Sequence, residues 1–143
     1  MWGGRVRILL TLVVALPALA ACQAAPERKP DNPLPFGALD APKNGEVVGR
    51  VVEVTGWALD DSRVVSVSAY VDGRFQASAT PELPRPDVAR LYPSYAGAAE
   101  VSGWRLELDL GEAPGARTIL VRAVDDRQAA RDLGSIEVHL IER

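Results

Sequence analysis

The chain has 143 residues, 48% hydrophobic and 24% charged, which is the composition of an ordinary globular protein with room for one domain and appendages. The first 21 residues hold two arginines and no acid, so the remainder carries 14 basic against 19 acidic side chains, a net charge of −5 that speaks against a nucleic-acid partner, since phosphate binding needs a basic patch. One cysteine makes no internal disulfide, and aromatics at 6% with 11 prolines favour short strands divided by turns over long helices.

Arg5 and Arg7 form a basic start, Ile8 to Leu16 is an apolar run, and Pro17 leads into small residues up to Cys22, the anatomy of a secretory signal over residues 1–21. The run falls well short of the roughly 20 residues that a membrane-spanning helix requires. Leu19, Ala20, Ala21 and Cys22 resemble the lipobox of bacterial lipoproteins, in which a branched apolar residue and two small residues precede a cysteine. That resemblance implies a covalent lipid at Cys22, its thiol becoming a thioether to diacylglycerol. Two or three acyl chains, at ~0.8 kcal/mol per buried CH₂, hold far more firmly than one. The partner implied is a membrane, reached through the lipid anchor. The alternative is an ordinary secretory signal whose cleavage site abuts a cysteine. Gln23 stands where an Asp retains enteric lipoproteins in the inner membrane, which favours the outer membrane facing the periplasm. In a cell with one membrane the same anchor places the domain on the outer surface.

Residues 22–35 comprise the acylated cysteine and a tether, QAAPERKPDNPLP, in which Pro26, Pro30, Pro33 and Pro35 block helix and strand alike. In extended polyproline geometry, at ~3.1 Å per residue, about 13 residues reach roughly 40 Å.

From residue 36 to 143 short apolar-polar alternation takes over. A short first strand is expected near Leu39 to Val48. In Val51 to Ala58, Val52, Val54 and Ala58 share one face while Glu53, Thr55 and Trp57 share the other. Val65, Val67, Ala69 and Val71 oppose Ser66, Ser68 and Tyr70 before Asp72-Gly73, which suits a type I′ hairpin turn into a returning strand over Arg74 to Ala79. Trp104, Leu106, Leu108 and Leu110 alternate with Arg105, Glu107 and Asp109. After Pro114-Gly115 come Ile119, Val121 and Ala123, and the last strand carries Ile136, Val138 and Leu140 against Glu137 and His139. About seven strands with no crossover helix predict an all-β, two-sheet antiparallel sandwich with one long loop.

Leu39-Asp40-Ala41-Pro42 with Gly45, Val54-Thr55-Gly56-Trp57-Ala58, Tyr70-Val71-Asp72-Gly73 and Val121-Arg122-Ala123-Val124-Asp125 are similar to segments of immunoglobulin-like domains found in exported and surface-associated bacterial proteins. Arg85-Pro86-Asp87-Val88-Ala89, Tyr92-Pro93 and Ser102-Gly103-Trp104 in the long loop also stand in the order seen in a subset of such domains. The resemblance implies an immunoglobulin-like sandwich and an accessory role: spacing, docking or binding.

For catalysis the chain offers only His139, which alternation places on the solvent face, and there is no phosphate-cradling loop, zinc spacing or nucleophile elbow, so no enzyme is expected. Asp60-Asp61 and Asp125-Asp126 sit in loops that leave the same end of a seven-strand sandwich, with Asp40 nearby. Such oxygens suit Ca²⁺; the bland reading is that aspartates in turns bind nearby backbone N–H groups. Thr80 to Ser102 reads either as a self-packed lid, with Asp87 capping a helical turn beside Pro86, or as a recognition surface. The residues of that surface would be Arg85, Asp87, Arg90, Tyr92 and Tyr95 with Trp57. Trp57 is then either exposed for stacking on a sugar or covered in a second small core, whereas Trp104 belongs in the main core. The expectation is an envelope lipoprotein whose non-catalytic domain docks an envelope protein. The alternative is a carbohydrate-binding module for envelope glycans acting through Trp57, Tyr92 and Tyr95, with calcium a variant of either.

Overall fold

The alternation seen in the sequence becomes two hydrogen-bonded sheets in the computed structural model, which describes residues 31–141. In chain order the strands are β1 (Phe36–Ala41), β2 (Val47–Val48), β3 (Val51–Leu59), β4 (Val64–Val71), β5 (Arg74–Ala79), β6 (Gly103–Asp109), β7 (Gly115–Asp125) and β8 (Ala130–Leu140). One sheet has the order β1-β3-β6, the other β2-β8-β7-β4-β5. Each inner face is built from every second residue, so that Val52 and Val54 of β3 and Trp104, Leu106 and Leu108 of β6 meet Val67, Ala69, Ile119, Val121 and Val138 from the opposite sheet. Asp72 and Gly73 both have positive φ, as a type I′ turn requires.

Three expectations change. The single first strand is split between the sheets: β1 pairs antiparallel with β3, whereas β2 pairs parallel with β8. The described residues therefore hold eight strands in a sandwich that is not wholly antiparallel. Val65, placed by alternation beside Val67, is only half-buried, and Val64 is buried in its stead. A bulge between Val64 and Ser66 adds a residue to the ladder with β7 and shifts the start of β4 by one position. Finally, the end of the proline-rich stretch belongs to the domain's packing. Pro35 is buried, Asn32 Nδ2 donates to Asp125 Oδ2 at 2.9 Å, and Arg127 Nη1 donates to the Asp31 carbonyl at 3.3 Å.

Strand directions sort the connections onto two poles. The start of β1, the β3–β4 and β7–β8 turns and the long β5–β6 connection lie at one; the Asp72-Gly73 hairpin and the β6–β7 loop lie at the other. Among the described residues no helix is long and apolar enough to cross a membrane.

Candidate functional site

The long connection is a folded cap. It contains α1 (Pro86–Leu91), a 3-10 turn (Pro93–Tyr95) and α2 (Ala96–Ala99). Both of its ends are tied down: Leu83 N–H and Glu82 N–H donate to the Gly103 carbonyl, at 2.9 and 3.0 Å, and Arg85 N–H donates to the Glu100 carbonyl at 2.7 Å. Pro86 takes the first helical position, where its missing N–H costs nothing.

Asp87, expected as the cap residue, lies inside α1 instead, because Pro86 moves the capping position back to Arg85. Its carboxylate is gripped by the Arg85 fork, Nε to Oδ1 at 2.9 Å and Nη2 to Oδ2 at 2.7 Å. The remaining nitrogen, Nη1, reaches Asp40 Oδ2 of β1 at 2.6 Å. One guanidinium thereby fastens α1 to itself and to the sheet. Its hydrogen bond to Asp87 raises the Arg85 pKa against the opposing effect of burial, and the same bond holds the Asp87 carboxyl down at about 2. The folded pKa lies below the ordinary value of 3.8, so this contribution to cap stability is complete above pH 3.8 and fades as pH falls towards 2. A carboxyl-detected titration should find the Asp87 midpoint near 2, and Arg85→Gln should return it to about 3.8. A midpoint in the wild-type chain at the ordinary value would show that the fork is not held in solution.

Beneath the helices is a second small core of Leu59, Val88 and Ala99, ringed by Phe36, Trp57, Tyr92 and Tyr95. Phe36 is its hub, with ring centroids 6.0 Å from Trp57, 5.3 Å from Tyr92 and 5.4 Å from Tyr95, all edge-to-face. Such geometry is worth roughly 0.5–1.5 kcal/mol per pair beyond burial. Trp57 is therefore half-covered by the cap, and the two tyrosines spend much of their ring surface on one another's neighbours. What is left open is a cleft of about 370 Å³ beside the knot, where Trp57 and Tyr92 face Arg131, Asp132 and Leu133 of β8. Arg90 is exposed on α1.

Of the five aspartates considered for calcium, Asp60, Asp61, Asp125 and Asp126 lie at the turns of this pole, whereas Asp40, expected just before the first strand, lies within β1 opposite the middle of β3. Asp125 is fully buried and accepts from Arg127 N–H and Ala129 N–H at 2.8 Å each and from Asn32. Burial pushes its pKa up, yet the hydrogen bonds of Ala129, Asn32 and Arg127 outweigh it and leave the group below the ordinary value. Asp60 Oδ2 accepts from Ser62 N–H and Oγ–H at 2.8 and 2.6 Å. Asp61 lies 3.8 Å from Arg127, Asp40 is held by Arg85, and Asp126 is exposed. Among the described residues no group of three or more His, Cys, Asp or Glu side chains has metal-holding geometry. Cys22 and the Leu19, Ala20 and Ala21 positions lie outside the described residues.

Sequence reasoning left Phe36 out of the site because it stands at the domain boundary, where alternation has no earlier residue to build on. It also passed over the outer face of the five-stranded sheet, where Phe75, 59% exposed, meets Tyr70 edge-on at 5.9 Å and the Arg122 guanidinium lies 5.9 Å from the Tyr70 ring.

A family model described as a bacterial Ig domain matches residues 35–121. Among solved structures, the endo-beta-1,4-mannanase from Thermotoga petrophila is similar over 80% of this chain and 21% of its own, at 14% identity and a TM-score of 0.52. The CbhA fibronectin(III)-like modules of Clostridium thermocellum are similar over 77% of this chain and 47% of theirs, at 21% identity and a TM-score of 0.47. The chain thus spans about half the length of the latter and about a fifth of the former. No curated protein matches it.

Proposed function

The chain belongs to the bacterial Ig domain family, and from that premise we propose that it is a non-catalytic module of the cell envelope, held on a membrane by an acylated Cys22, whose capped pole docks another envelope protein. The observation that carries this reading is the state of the long connection. A segment of this length without a role tends to be loose, whereas this one is fastened by Arg85 and the Phe36 knot and still leaves Leu83, Leu91 and Val101 exposed on its outside. A rigid end with exposed apolar side chains is suited to burial against a partner. Gln23 after the cysteine favours the outer membrane facing the periplasm, or the outer surface of a cell with a single membrane.

Two measurements test the two parts. Cys22→Ser should accumulate as the unprocessed precursor and carry no lipid by mass spectrometry; normal processing and unchanged membrane retention would remove the anchor. Crosslinking in intact envelopes should yield an adduct to one protein that disappears in Leu91→Asp, a change at a position 72% exposed that leaves the cores alone. An adduct indifferent to that substitution would place docking elsewhere.

A second reading, glycan binding, draws on the cleft between Trp57, Tyr92 and Arg131. It predicts retention on envelope polysaccharide that is lost in Arg131→Glu, and no retention would dismiss it.

A further inference from the structure

The place where the chain enters the sandwich limits where a docked partner can stand. Asn32 bonds Asp125, the Asp31 carbonyl accepts from Arg127, and Pro35 is buried, so the entering chain is fastened beside the β7–β8 turn, at the capped pole. Nine residue steps separate Asp31 from Cys22, and a chain gains at most ~3.3–3.6 Å per residue whatever its conformation. A lipid on Cys22 would therefore keep the capped pole within roughly 30 Å of its membrane. β7 alone carries eleven residues from pole to pole, a rise of roughly 35 Å at ~3.3 Å per residue. The Asp72-Gly73 hairpin and the β6–β7 loop thus form the end that can stand out towards other layers of the envelope, and the cap is the end that cannot.

The surface of the capped pole says what suits it. Leu34, Leu91 and Val101 are 52, 72 and 48% exposed, so apolar side chains stand open at the chain's entry and on the cap. The segments between strands there, residues 31–35, 60–63, 80–102 and 126–129, hold seven acidic and four basic side chains. An acidic surface is repelled by a bilayer with anionic lipids, and it complements a protein surface that combines basic and apolar side chains. We propose that the docked partner is a protein embedded in the same membrane that holds Cys22, meeting the cap with a basic and apolar surface within roughly 30 Å of the lipid; this rests on the anchor and docking readings and says where the partner stands. A protein of another layer would have to come down past the length of the sandwich to reach the cap.

The test uses the full lipidated chain in intact envelopes, with a site-specific protease sequence of equal length in place of residues 24–29 and a photo-crosslinker at Arg90, exposed on α1. After crosslinking and cleavage the domain has lost its own anchor, so the free domain should leave the membranes while the adduct sediments with them. An adduct released together with the free domain would overturn the proposal. So would free domain that stays on partner-free vesicles of phosphatidylcholine and phosphatidylglycerol, which would make the bilayer the occupant. Glu82→Lys combined with Glu100→Lys, both exposed positions, should lower the adduct yield at least threefold; an unchanged or higher yield would remove the basic partner surface. Because Cys22 is the chain's only cysteine, a thiol dye reports one introduced site. On Glu100→Cys it should transfer energy to a headgroup-labelled lipid several times more strongly than on Glu112→Cys in the β6–β7 loop, and equal or reversed transfer would refute the placement of the cap. A Cys22 without lipid by mass spectrometry would sink the anchor reading, whereas a lipidated chain with the expected transfer and no adduct would sink docking.

Discussion

Replacing Trp104 with alanine is expected to lower stability by about 3–5 kcal/mol, read as a shift of the denaturant midpoint at constant slope. The ring is 1% exposed and sits between the sheets, and the space it needs is made by its neighbour on β3. Gly56 pairs with Trp104 across the ladder, and a Cβ on Gly56 would overlap both the indole ring and the Ala38 carbonyl. Removing the indole leaves a cavity that Gly56 has no side chain to fill, so relaxation is poor and the loss lies at the upper end of what core truncations show. Gly56→Ala should be damaging from the opposite side, by overpacking. Trp104→Phe should be far milder, because the indole Nε1 has no hydrogen-bond acceptor in the core and its loss deprives no partner. With whole domains stabilised by only about 5–15 kcal/mol, that loss is a large share of the total. A loss under about 1 kcal/mol would mean that the sheets repack around the gap.

The second large effect belongs to the cap. Phe36→Ala removes the hub of three edge-to-face pairs, and a loss of about 2–4 kcal/mol is expected from the truncated side chain and the pairs together. The distribution matters more than the size. Leu59, Val88 and Ala99 belong to a core separate from the one around Trp104, so the cap should open without the sandwich. Amide exchange ought to accelerate at Val88, Tyr92 and Ala99 while Ile119, Val121 and Val138 keep the protection of the global transition. Uniform acceleration would show that cap and sandwich unfold as one unit.

The sandwich was largely legible because its information is local. Trp104 to Leu110 and Ile119 to Ala123 declare their inner faces by alternation alone, and Asp72-Gly73 declares its turn by chemistry. Legibility failed where one residue changes the phase, as at the Val64–Ser66 bulge, which no side chain announces. At the cap, Asp87 serves Arg85 and not a helix end, and Trp57 and Tyr92 meet each other and Phe36, which is 21 residues from Trp57 in the chain and more than 50 from Tyr92. Four of the aspartates lie at the turns of one pole as strand order required, while Asp40 lies within β1. Their partners, Asn32, Ser62, Arg85 and Arg127, were not readable, because a carboxylate finds its nearest N–H only once the turns are built.

The division of the first strand between the sheets bears on how densely such molecules can be crowded. An open sheet border invites another chain to add to it, which is how β proteins polymerise. Here the β1–β2 segment closes the lower border of β8: Gly45 N–H bonds the Glu137 carbonyl, Glu137 N–H bonds the Asn44 side chain, and the Glu46 and Val48 carbonyls take His139 N–H and Ile141 N–H. Only the upper stretch stays outside that seal, and it presents Arg131 and Asp132, side chains that make a poor template for a neighbouring strand. That border of β8 is therefore a poor place for a neighbouring chain to add a strand.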